Sequence, residues 1–223
     1  PAIINQVWNT SFFWEGRSPS LENQALEPVP NPIEMHLDWP EAIRRLKGHP
    51  DYPDLFLKAF GVNNFGRDEV AKAIAQFERT LISADSKYDQ RLRGLSNLTD
   101  QEFRGFEIFF TERGDCFHCH GTILLTDNLF HNNGLDTDST MDDIGRMQVS
   151  GNPSDKGKFK TPTLRNIELT APYMHDGRFA SLEEVVDFYS EGIQFSSTID
   201  PLMKKVDQGG VQLNPQEKAD LIA

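Results

Sequence analysis

The chain has 223 residues, a formal net charge of −12, 38% hydrophobic and 25% charged residues. That length holds one large or two small domains, and the composition is that of an ordinary globular protein. The acidic excess argues against nucleic acid and anionic membrane surfaces as partners, because phosphate contacts need clustered Lys and Arg. No apolar run approaches the ~20 residues of a membrane helix, so no membrane span is expected.

The start, Pro1-Ala2-Ile3-Ile4-Asn5, lacks the basic run and cleavage pattern of a secretory leader. A start without Met and a stop at Ala223 inside an apparent helix lead us to expect a fragment of a longer protein. In chain order, Asp38-Trp39-Pro40-Glu41 opens a helix to about Leu46, with Asp38 as N-cap and Pro40 in the first turn. Residues 50–60 read as a second helix, ended by Gly61. Residues 68–82 read as a third, with Val70, Ile74, Phe77 and Leu81 on one apolar face. Residues 83–96 are polar and irregular, and read as a linker. Thr99 and Glu102 form a capping box for the next helix, whose aromatic face is Phe103, Phe106, Phe109 and Phe110. Residues 121–161 are rich in Asn, Asp, Gly and Ser and read as loops; Ser181 to Tyr189 reads as a helix, and Asn214 caps a last one. The pattern predicts a mostly α protein with one boundary near residue 95.

Both cysteines fall within Cys116-Phe117-His118-Cys119-His120, the Cys-x-x-Cys-His signature of c-type haem attachment. Cysteines three apart on a helical turn can reach the two vinyl groups of one haem as thioethers, and the next His is then set to ligate iron. A zinc site would need four ligands, usually from a second Cys or His pair. A thioredoxin-type redox pair would sit in a βαβ pattern, which the sequence lacks. The expected cofactor is therefore haem c, with His120 as proximal ligand and His118 as a filler. Haem attachment implies export, so a periplasmic location is expected.

Four further stretches carry a family resemblance: Phe12-Phe13-Trp14-Glu15-Gly16-Arg17, Asn31-Pro32-Ile33-Glu34-Met35, Thr161-Pro162-Thr163-Leu164-Arg165-Asn166 and Thr170-Ala171-Pro172-Tyr173-Met174-His175-Asp176-Gly177. In order and spacing around the haem motif, they resemble the bacterial di-haem cytochrome c peroxidase and MauG family over nearly the whole chain. The resemblance implies an all-α fold of two cytochrome c-like haem domains, the N-terminal one incomplete. Residues 1–95 would be the remnant of the peroxidatic domain and 96–223 the C-terminal haem domain. The family has two attachment motifs and this chain has one, so the second haem lies upstream or is absent.

The resemblance also assigns roles. Glu34 matches the active-site glutamate, a general acid/base for peroxide cleavage, with Gln24 near it and Trp14 between the haems. Arg165 would pair a haem propionate or a carboxylate, and His175 would lie near the electron-transfer haem. The second axial ligand is Met in the peroxidases and Tyr in MauG-like enzymes; Tyr189 falls at that position, ahead of Met203 and Met174. Met ligation raises the potential, whereas a Tyr oxygen favours ferric and higher states. Thr170 and Pro172 match positions whose carbonyls bind Ca2+. The implied function is a peroxidase reducing hydrogen peroxide with electrons from a cytochrome c or cupredoxin, and family members often form homodimers. Two rivals stand beside it: a MauG-like oxidase acting on a protein substrate, and a monohaem electron carrier without catalysis.

Overall fold

The computed structural model describes residues 2–223, and the start at Pro1 lies outside the described residues. The chain forms two compact units. One comprises Ile3–Phe13 and Arg17–Ile82; the other comprises Trp14–Gly16 and Ser83–Ala223, with Ala2.

The first unit holds helices α1 (Leu21–Leu26), α2 (Trp39–Gly48), α3 (Tyr52–Phe60) and α4 (Arg67–Thr80). Capping residues set their ends. Ser20 accepts from the Asn23 N–H and Asp38 from the Glu41 N–H, and Gly61, at φ 71°, closes α3 in the left-handed region. The face that α4 buries differs from the expected one. Val70, Ala71 and Ala75 are buried, while Ile74 is 36% and Phe77 62% exposed. Small alanines let the α1 backbone approach closely, and Ala75 joins Phe12 and Leu21 in one core cluster. A second cluster stacks Phe56 on Phe65 at 3.9 Å between ring centroids, with Val70 beside them and Trp39, Ile43 and Leu46 packed around.

The second unit begins with α5 (Lys87–Leu92), where a linker was expected. Ser86 and Asp89 form a capping box, and the Asp89 carboxylate is buried against Arg165, which is what ties residues 83–95 into this unit. Helix α6 (Asp100–Phe109) starts from the expected Thr99–Glu102 box and packs on α10 (Pro215–Ile222). The two cross at Gly105, where a Cβ would run into the Asp220 carbonyl. Ile108, Val211 and Leu213 make the core at that crossing.

The attachment motif forms the short α7 (Phe117–His120). The loop-rich stretch after it contains β1 (Phe130–His131) and β2 (Phe159–Lys160), antiparallel with Phe130 opposite Lys160, and between them α8 (Met147–Ser150). The all-α expectation is therefore corrected: the protein is mostly helical with a small two-stranded sheet. Two-residue strands leave no alternating pattern for a sequence reading to detect. Helix α9 (Leu182–Asp187) passes into a π turn over Phe188–Gly192, so Tyr189 lies in the widened turn and not in regular α-helix.

Candidate functional site

Within the second unit lies a mainly apolar cavity of about 350 Å3. Cys116, Cys119, His120, His175, Tyr189, Met174, Met203 and Trp14 all contribute to its wall. Eight residues that the sequence analysis named are thus brought together from segments spread over almost 190 positions.

The His120 imidazole is set by the loop that follows it. Its Nδ1 lies 2.9 Å from the Leu125 carbonyl, so it carries the proton and donates it there. Leu125 adopts φ 53°, and its loop is fastened by Thr163 Oγ1 donating to the Leu124 carbonyl at 2.6 Å. Nε2 is left as the unprotonated nitrogen, which is how ligating histidines are oriented in metal sites. Burial lowers the pKa of His120 and keeps the ring neutral, as ligation requires.

Burial pushes the thiols of Cys116 and Cys119 up to about 12, so both are protonated at neutral pH. They are not joined to each other. Among the described residues, the groups able to hold a bare metal ion are Cys119–Asp127–His131 and Glu112–Asp115–His118. Neither reaches the four ligands of a structural zinc site. In the second group, the Lys204 ammonium already sits 2.8 Å from Glu112 and 2.9 Å from His118 Nε2. A flat apolar cofactor with one iron, taking two thioethers and His120, fits this donor set; a bare cation does not.

Tyr189 presents a phenol to the cavity, and burial raises its pKa to about 12. Asn133 Nδ2 donates to its Oη at 2.9 Å. The carbonyl of Tyr189 accepts from the Val211 N–H at 3.1 Å, which pins the π turn to the segment leading into α10. Met174 Sδ lies 3.8 Å from the same Asn133 nitrogen. His175 stacks on Phe159 at 3.6 Å, with 11° between the rings, and burial lowers its pKa. Trp14 is held to the sheet by its carbonyl, which accepts from the Lys160 N–H at 2.7 Å.

Other expected residues stand elsewhere. Arg165 is not part of the cavity wall: its guanidinium makes two bonds to Asp89, at 2.6 and 2.7 Å, and bonds the Ile123 carbonyl as well. Of the two partners foreseen for it, the carboxylate is the one observed. Thr170 and Pro172 lie exposed, just past a 3-10 turn at Ile167–Leu169. Glu34 and Gln24 belong to the first unit. Glu34 is exposed and accepts from Asn31 Nδ2 at 2.6 Å, and Gln24 lies in α1.

Of the wall residues that were not foreseen, three polar ones stand out. His131 is clamped between Asp127, at 2.9 Å from Nε2, and Asp200, at 2.6 Å from Nδ1. The hydrogen bond to Asp127 leads in raising its pKa. Asn133 is the second. The third, Lys160, is lowered to about 8 by burial. The signal that could have found the first two is the run Phe130-His131-Asn132-Asn133-Gly134, a His beside an Asn-Gly turn within an otherwise featureless loop.

Comparison with known proteins finds relatives of one family. A sequence profile of the family described as di-haem cytochrome c peroxidase matches residues 1–97. The methylamine utilization protein MauG of Methylorubrum extorquens is 36% identical, over 100% of this chain and 62% of its own length. The cytochrome c551 peroxidase of Nitrosomonas europaea is 38% identical, over 84% of this chain and 56% of its own length. The chain thus spans about three fifths of these curated relatives. The crystal structure of a MauG-like protein associated with microbial copper homeostasis superposes with a TM-score of 0.89 at 36% identity, covering 99% of this chain and 72% of that one.

Proposed function

The chain belongs to the di-haem cytochrome c peroxidase and MauG family, and from that premise we propose that it is the haem-c-bearing part of a periplasmic peroxidase. The whole protein would reduce hydrogen peroxide with two electrons and two protons to two waters, drawing the electrons from a cytochrome c or cupredoxin. One observation carries this reading: Cys116, Cys119, His120 and Tyr189 converge on a single apolar cavity, with His120 Nδ1 already engaged.

Haem c, held by Cys116 and Cys119 and ligated by His120, would supply a one-electron redox centre in the cavity. Its apolar wall excludes water, and the carbonyl of Leu125 keeps His120 in the ligating tautomer. Trp14, in the same wall, offers an aromatic ring for electron or hole transfer out of the cavity. In the first unit, Glu34 is the proposed proton carrier, taking a proton from one peroxide oxygen and delivering it to the other as the O–O bond breaks. Gln24 would hold the peroxide beside it. The carbonyls of Thr170 and Pro172 are suited to Ca2+, a hard cation that prefers oxygen ligands. A second haem upstream and a homodimer complete the proposal.

A MauG-like oxidase acting on a protein substrate is the second reading. The hydrogen bond from Asn133 to the Tyr189 hydroxyl favours it, since it prepares an oxygen ligand for iron. A pyridine haemochrome assay and intact mass of the natural protein, followed by peroxide turnover, test the proposal. One haem on this chain, a second elsewhere and turnover of peroxide would support it. A single haem without turnover would leave an electron carrier. In the active protein, Glu34→Gln should cut turnover by roughly 100-fold or more, with the haem spectrum unchanged. Unaltered turnover would remove Glu34 from the chemistry.

A further inference from the structure

One side-chain amide faces two of the residues able to give iron a second axial atom. Asn133 Nδ2 donates to Tyr189 Oη at 2.9 Å and lies 3.8 Å from Met174 Sδ, and all three side chains belong to the cavity wall that holds His120. We propose that Asn133 is a positioning residue that selects the Tyr189 oxygen over the Met174 sulfur as the second iron ligand. This inference rests on the reading that Tyr189 ligates iron.

The amide is itself firmly held. Its neighbour Asn132 is buried and donates to Ser196 Oγ and Thr198 Oγ1, each at 3.0 Å. On its other side, Gly134 accepts from the Gln194 N–H at 2.8 Å and has φ 77°, with no room for a Cβ. Asn133 therefore projects from a fixed backbone. The target is fixed too: the Tyr189 carbonyl bonds the Val211 N–H, and the ring packs edge-on against Phe188 at 4.9 Å.

Chemistry makes the amide selective. An N–H donor at 2.9 Å forms a full hydrogen bond to oxygen, whereas a thioether is a weak acceptor. A ligating phenolate is anionic and, in an apolar cavity, is costly to hold unless a donor meets its remaining lone pair. Met174 carries no charge and needs no such donor. Loss of the Asn133 amide penalises the oxygen ligand and leaves the sulfur ligand untouched.

The test uses the full-length, haem-loaded ferric protein. In the wild type, electronic and electron paramagnetic resonance spectra should show phenolate ligation. In Asn133→Leu, of similar volume and without a donor, that signature should give way to the long-wavelength sulfur-to-iron band. The midpoint potential should rise at the same time. Adding Met174→Leu should abolish the new band and identify its source. Asn133→Leu keeping the phenolate spectrum and the wild-type potential would overturn the inference. Where that variant fails to take up haem, resonance Raman of the wild type in H2O and D2O decides. An iron–phenolate stretch that shifts on exchange supports the amide bond, and one that does not shift overturns it. A wild type without any phenolate band removes the Tyr189 reading itself, before any variant is made.

Discussion

At the scale of single residues, the buried pair of Arg165 and Asp89 is the clearest case of chemistry visible in outline and resolved only by the fold. Both are about 95% removed from solvent, and their two hydrogen bonds join α5 to the stretch after β2. Removing one partner strands the other charge in the interior. Asp89→Asn or Arg165→Met should therefore cost roughly 3–5 kcal/mol in urea unfolding, and the double replacement Asp89→Leu with Arg165→Met should recover much of it. The Arg165 guanidinium holds the Asp89 carboxyl well below its ordinary 3.8. Its folded pKa is depressed, so the contribution is fully present above the unfolded value and is lost as pH falls through the folded one. Wild type and Asp89→Asn should accordingly converge in stability at strongly acidic pH. A gap that persists there would mean the pair contributes packing and not charge.

At the scale of elements, the small sheet is a strap and His131 is its buckle. Through Asp200, His131 ties β1 to the loop bearing Met203 and Lys204, both part of the cavity wall. Asp127 and Asp200 together raise its pKa above 6.5. For a histidine with a raised folded pKa, the stabilisation is complete below the unfolded value and disappears as pH rises through the folded one. Melting curves across neutral to alkaline pH should show the wild type losing stability through that interval. His131→Gln should show a flatter profile there. Parallel profiles would place the stabilising term elsewhere. The α6–α10 crossing is the other element-level device, with Gly105 admitting the α10 backbone and Arg104 reaching the buried Asp220 at 2.7 Å.

At the scale of the whole molecule, the second unit is built around a cavity of about 350 Å3 that its own side chains do not fill. Lining atoms without neighbours forfeit dispersion contacts, so the unit should be less stable before the cofactor is attached than after. Replacing both Cys116 and Cys119 by Ser should leave haem extractable into acidified organic solvent, whereas the wild type should keep it. The variant should also melt at a lower temperature once extracted. Haem retained by the double variant would mean that the cysteines do not carry it.

Some of this was legible in the residues because it is local. The Cys116–His120 signature needs five consecutive positions and the Thr99–Glu102 capping box needs four; the box and the Asn214 cap both stand in the structure as expected, since their chemistry is complete within one turn. The buried face of α4 was misread because Ile74 and Phe77 are apolar but face away from α1, and hydrophobicity alone does not say which side a neighbour will approach. The helix at Lys87–Leu92 was missed although its capping box was present, because the surrounding polar residues suggested a linker. Only the tertiary structure decided that Asn133 meets Tyr189 across 56 residues, that Arg165 meets Asp89 across 76, and that His131 meets Asp200 across 69. Contacts of such separation impose no period and no spacing on the chain, so nothing local records them. The sequence by itself determined the five-residue signature and the caps, whose chemistry is local; the tertiary packing decided which groups surround the cavity and how they are held.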